Sequence, residues 1–184
     1  MALALVLAHV GDATRGFADG LLHPLLGPDH LLAMIAVGVV AAITGTRFGG
    51  PFARFGVWAA PTAFVAGMAL GGALGLAGSA FPGVEIATVV SVIALGLAVA
   101  GAGAVGNAAV WVPLLVLAGL AHGNAHGSEA PGAANPALYV AGFLVATVAL
   151  HAAGVGTGLL LRDRPAARLA IGTSLAAAGV LLLV

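Results

Sequence analysis

The chain contains no cysteine and no lysine, and only 7% of its 184 residues are charged. Without cysteine there is neither a disulfide framework nor a thiolate metal ligand. Six arginines balance six acids to a formal net charge of zero, so nothing in the composition attracts a phosphate backbone, and nucleic acid is excluded as a partner. The phosphate-cradling pattern G-x-x-x-x-G-K-[ST] is missing as well. Gly101-Ala-Gly103-Ala-Val-Gly106 does match G-x-G-x-x-G, but it follows an apolar span instead of a strand and reads as a loop. No nucleotide partner is expected.

Charge this sparse cannot cover a soluble surface, since soluble domains are about a quarter charged. Apolar residues make up 61% of the chain and the mean hydropathy is +1.16, which defines an integral membrane protein. A spanning helix needs about 20 apolar residues, leaving room for about six spans and little else. The hydrophobic segments lie near 28–45, 56–79, 84–101, 107–126, 136–161 and 166–184. They are too long and too evenly apolar for barrel strands, and a backbone in lipid must satisfy its own hydrogen bonds, so all six are expected to be helices. The expected fold is an all-α bundle of about six transmembrane helices with a broken first helix, forming a single transmembrane domain over residues 1–184. Gly67, Gly71 and Gly75 form one ladder of small residues and Gly119, Gly123 and Gly127 another, each suited to close helix packing.

The arginines set the orientation. Arg47 and Arg54 fall between the first two spans, and Arg162, Arg164 and Arg168 between the last two, on the same side of a six-span chain. The positive-inside rule makes that side cytoplasmic and puts both termini outside, with Arg15 the one exception. Residues 1–8 are apolar and end in a small residue, like the end of a trimmed secretory signal, although no basic region precedes them. Residues 9–27 are expected to form a partly helical lead-in at the outer surface, broken by Pro24, Gly27 and Pro28.

Against this background two polar clusters stand out: His23-Pro-Leu-Leu-Gly-Pro-Asp29-His30 and His122-Gly-Asn-Ala-His126-Gly-Ser-Glu129. Ionisable side chains inside a membrane cost several kcal/mol or so, and a cluster of them marks a site. Imidazole with carboxylate suits a divalent transition metal. Pro28 can occupy the first position of a helix, and the stretch from His23 to Gly27 is expected to be unwound, offering carbonyls to an ion. His122, His126 and Glu129 are spaced i, i+4, i+7 and share a face if the helix persists through Gly127. Both clusters then lie at the outer ends of their spans, where they could form one site or two successive stations. Glu85, near the start of the third span, divides evenly between a further site carboxylate and an interfacial acid. His151, isolated in the fifth span, reads first as a packing residue and second as a ligand. His9 is terminal and reads as inessential, and Asp12, Asp19 and Asp163 read as solvated acids.

His23-Pro24-x-x-Gly27-x-Asp29-His30, running on into Leu-Leu-Ala33-Met34-Ile-Ala36-Val37-Gly38, resembles one signature of the HupE/UreJ family, and His122-Gly-x-Ala-His126-Gly-x-Glu129 resembles the other. The likeness runs collinearly over essentially the whole chain. It implies a bacterial inner-membrane nickel or cobalt permease that supplies hydrogenases or ureases, has six spans after a cleaved signal peptide, and is not an enzyme. The metal ligands on this reading are His23, Asp29, His30, His122, His126 and Glu129, with Glu85, His9 and His151 as weaker candidates. The partners are the divalent ion, as cargo and not as a prosthetic group, and the lipid bilayer, with self-association left open. Two other functions fit the same residues: an intramembrane zinc-dependent hydrolase, for which Ser128 beside Glu129 is a poorly marked nucleophile, and a metal-sensing subunit of a larger transporter.

Overall fold

From Ala36 to Thr44 every residue of one helix is buried, so this stretch is apolar on all sides and forms the centre of the bundle. The computed structural model describes residues 16–44, 56–101, 108–129 and 136–183, without the side chains of 108–110 and Glu129. His9, Asp12, Arg15, Arg47, Arg54, residues 1–8 and the glycine-rich loop 102–107 lie outside the described residues, as do the expectations placed on them.

The described residues are helical apart from short connections. Helix α1 is Gly16–Leu26. It is followed by α2 (Pro28–Thr44), α3 (Ala59–Leu76), α4 (Val84–Ala100), α5 (Ala108–Glu129), α6 (Pro136–Leu161) and α7 (Pro165–Leu181). Helices α2 to α7 match the six expected spans one for one, and α5 persists through Gly127 to Glu129. Two helical stretches, Gly56–Leu76 and Pro136–Leu161, are long and apolar enough to cross a membrane, and α1 with α2 makes a third, bent by 76°. At 17 residues each, α4 and α7 are at the lower limit for a span.

The break in the first helix differs from the expected one. His23 to Leu26 are helical, and Gly27 alone separates α1 from α2. The Gly27 N–H donates to the His23 carbonyl at 3.1 Å and the Gly27 carbonyl accepts from Leu31 at 2.9 Å, so the His23–Gly27 stretch is not unwound, and these two carbonyls are already engaged. Pro24 lies within α1, where it leaves the Gly20 carbonyl without its i+4 N–H donor but does not end the helix.

The glycine ladders explain how α3 and α5 pair. Gly67, Gly71 and Gly75 lie against Val116, Leu120, Asn124 and Ser128, while Gly119, Gly123 and Gly127 lie against Phe64, Met68 and Gly72. The two helices run parallel with their backbones touching, and a Cβ at Gly123 would run into the Met68 carbonyl. Helices α2 and α6 also run parallel, with Gly38 against His151 and Gly158 against Val39. Helix α7 packs on α4 through Gly96, Gly172 and Gly179. Many of the large apolar side chains point the other way: Leu117, Val148 and Leu160 are 60%, 60% and 69% exposed. Small residues inside and leucines outside is the arrangement a lipid solvent favours.

Two further contacts hold the ends of the bundle. The turn after α3 uses Gly78 at φ 83°, a left-handed conformation that a side chain would strain. Asn124, fully buried on α5, accepts from the Phe81 N–H at 2.8 Å and donates to the Ser79 carbonyl at 2.7 Å, tying that turn to the end of α5 that carries the histidines. At the opposite end the Arg162 guanidinium donates to the Ala42 carbonyl at 3.0 Å, satisfying one of the free carbonyls of α2.

Candidate metal centre

The bend at Gly27 folds α1 back so that His23 approaches residues of α2, α5 and α6. Its ring centroid lies 6.1 Å from that of His30, 4.5 Å from His126 and 6.0 Å from Tyr139. Gly27 is needed here, since a Cβ at this position would come within 2.7 Å of the His30 ring. His30, in the first turn of α2, lies 3.9 Å from His126 and 4.9 Å from His122, centroid to centroid. The i, i+4 spacing on α5 aims His122 and His126 at the same neighbour. The four imidazoles therefore form one cluster, bringing together the two sequence motifs.

Two groups of candidate ligand atoms can be drawn within it. His23, His30 and His126 have ligand atoms within 4.8 Å of one another, as do Asp29, His30 and His122, and His30 belongs to both. The Asp29 carboxylate is 3.5 Å from His30 Nε2. His30 Nδ1 and His122 Nδ1 are 2.7 Å apart. Glu129 ends α5 one turn beyond His126, and its side chain lies outside the described residues.

Hydrogen bonds determine which nitrogen of His122 faces the cluster. The Ser91 hydroxyl on α4 donates its proton to the Thr88 carbonyl at 2.6 Å, so toward His122 it can only accept. His122 Nε2–H is the donor, at 2.9 Å, which leaves the Nδ1 lone pair directed at His30. A backbone carbonyl, through a serine, thus fixes the tautomer and angle of the ring, as supporting groups do around metal-binding histidines. His126 is the opposite case. It is buried, packed 4.7 Å from Phe143, and neither ring nitrogen has a hydrogen-bond partner among the described residues.

A cleft of about 630 Å³ leads to the cluster, lined by Asp19, His23, Asp29, His30, Glu85 and Thr88 among others. Glu85, in the first turn of α4, is on its wall. Asp19, read as a solvated acid, is exposed but shares this wall. Its place four residues before His23, on the same face of α1, was the available signal. Ser91, Thr88 and Asn124 carry no signal in sequence, because each reads as an ordinary small polar residue in a span. Ser128 gives its hydroxyl proton to the Asn124 carbonyl at 2.7 Å. His151 lies apart from the cluster, buried on α6, with Nδ1–H donating to the Thr147 carbonyl at 2.7 Å.

An all-α bundle that turns its leucines to lipid and gathers four imidazoles and a carboxylate at the head of a polar cleft is an integral membrane protein with a centre suited to a cation. Comparison with known proteins narrows that class. The model of the HupE / UreJ protein family matches residues 1–182. Protein HupE of Rhizobium leguminosarum bv. viciae is 43% identical over 180 residues, covering 96% of this chain and 89% of the relative. No solved structure matches. The chain belongs to the HupE/UreJ family, a family of membrane nickel/cobalt transporters accessory to hydrogenases and ureases, and not of enzymes.

Proposed function

We propose that this chain is a secondary permease that carries nickel or cobalt inward across the bacterial inner membrane without hydrolysing nucleotide, residues 1–184 forming one transmembrane unit whose cleft opens to the periplasm. The observation that carries this reading is the convergence of His23, His30, His122 and His126, with both ring nitrogens of His126 buried and without a hydrogen-bond partner among the described residues. An unpaired buried polar group costs about 1–3 kcal/mol, and a passing cation would offset that cost at His126.

The acids of the cleft wall, Asp19 and Glu85, draw a divalent cation toward His23 and Asp29. His23, His30 and His126 take it first, because His23 is the most accessible imidazole of the four. It then passes to Asp29, His30 and His122, with His30 common to both groups. With the His122 Nδ1 lone pair facing it at 2.7 Å, His30 Nδ1 carries the proton between them, and a cation bound by both nitrogens replaces that proton. Asp29 and Glu129 offset the +2 charge and so lower the cost of taking it out of water. Inward movement of that charge gains about 4.6 kcal/mol per 100 mV of inside-negative potential, twice the value for a single charge.

Accumulation of radiolabelled nickel in cells lacking their own uptake system, with cobalt, zinc and copper as competitors, tests both transport and selectivity. The wild-type chain should accumulate nickel, and His126→Ala and Asp29→Asn should each fall to background while inserting normally into the membrane. Uptake undiminished in either variant would refute the shared site. A wild-type chain that binds zinc tightly and moves no ion would point to the hydrolase, and one that transports only with a partner subunit would point to the sensor.

A further inference from the structure

Inward of the cluster one more imidazole is set up as a ligand. His151 is 2% exposed, and its Nδ1–H is committed to the Thr147 carbonyl at 2.7 Å. That bond fixes the tautomer, so Nε2 carries a lone pair, and Nε2 is buried with no hydrogen-bond partner among the described residues. Donation of the other ring N–H to a backbone carbonyl is how proteins orient histidines that bind metal. A histidine needed only for packing would gain from satisfying both nitrogens, or from replacement by an apolar residue.

Its position is on the line from the cluster to the far side. Phe143 touches His23 and His126, and His151 lies eight residues further along α6, about 12 Å at the helical rise. Independently, His30 is eight residues before Gly38 on α2, and Gly38 packs against the His151 carbonyl. Between the two levels sits Phe64, fully buried, with its ring 5.5 Å from His122 and 5.7 Å from His151. The Phe64 ring therefore separates the innermost histidine of the cluster from His151 and touches both.

We infer that His151 Nε2 is an inner station for the transported ion, receiving it from His122 past the ring of Phe64. The inference rests on the permease reading, and the two can fail separately. The test uses purified full-length protein in proteoliposomes, with nickel as the probe, and two substitutions that divide the functions of the ring. Asn places a donor where Nδ1 lies and preserves the bond to Thr147, but removes the ligand at the Nε2 position. Gln does the reverse, leaving an oxygen near that position. Flux through His151→Asn should drop about tenfold or more, His151→Gln should keep more flux than His151→Asn, and both should bind nickel in detergent with wild-type stoichiometry. A role in packing predicts the opposite order. A His151→Asn variant that transports at least as well as His151→Gln, or loss of nickel binding in both, overturns the inference. Absence of flux in the wild-type protein would instead refute the permease reading on which it depends.

Discussion

Ser91 shows how a residue that touches no ion on the proposed route can govern one that does. Its hydroxyl passes a hydrogen-bond constraint from the Thr88 carbonyl to His122 Nε2, and thereby keeps the His122 Nδ1 lone pair toward His30. Without it, the ring could rotate or change tautomer and present an N–H instead. Ser91→Ala should weaken nickel binding by roughly 10–100-fold, the usual cost of removing a group that orients a metal-binding histidine. Titration calorimetry on the purified protein would measure it, and an unchanged affinity would show that helix packing alone orients His122. Both sequence motifs supplied their histidines in advance, because ionisable groups are conspicuous in so apolar a chain. Ser91 and Phe64 were hidden for the converse reason: Ser91 lies 31 residues from the histidine it holds, and nothing in a lone serine or phenylalanine shows such a partner.

At the scale of helices, close backbone contact does the work that buried leucines do in a soluble core. In lipid no hydrophobic gain favours helix association, so fit between small residues decides which helices pair. A side chain on the α3–α5 seam should therefore be far more damaging than one on the lipid face. Gly123→Val would drive a branched side chain into the Met68 backbone, whereas a Cβ at Gly156 meets no atom within 4 Å. In detergent, Gly123→Val should abolish the monodisperse peak on size exclusion, and Gly156→Val should melt within a few degrees of wild type. Equal behaviour of the two would remove the ladders from any part in pairing. The ladders and the helix limits could be read from the sequence because they are local or periodic patterns. The break at Gly27 was misread, since helix-disfavouring residues at Pro24, Gly27 and Pro28 predict an unwound stretch, while the folded chain absorbs Pro24 within α1 and makes its 76° bend at one residue.

For the molecule as a whole, the proposed uptake requires the cleft to face the periplasm. Asp19 is exposed on the cleft wall, and Asp163 is exposed in the turn between α6 and α7, at the opposite end of the bundle. The arginines near Asp163 favour the cytoplasm for that end by the positive-inside rule. Because the chain has no cysteine, single cysteines can report on each end against a silent background. In intact spheroplasts a membrane-impermeant maleimide should label Asp19→Cys, and should label Asp163→Cys only after the membrane is permeabilised. Nickel in the medium should slow the first reaction, since the ion would pass the same wall, and leave the second unchanged. The reverse labelling pattern would place the histidines at the cytoplasmic mouth. The membrane potential that assists entry of a +2 ion would then oppose its departure through this chain, and uptake from a periplasmic site would have to be abandoned.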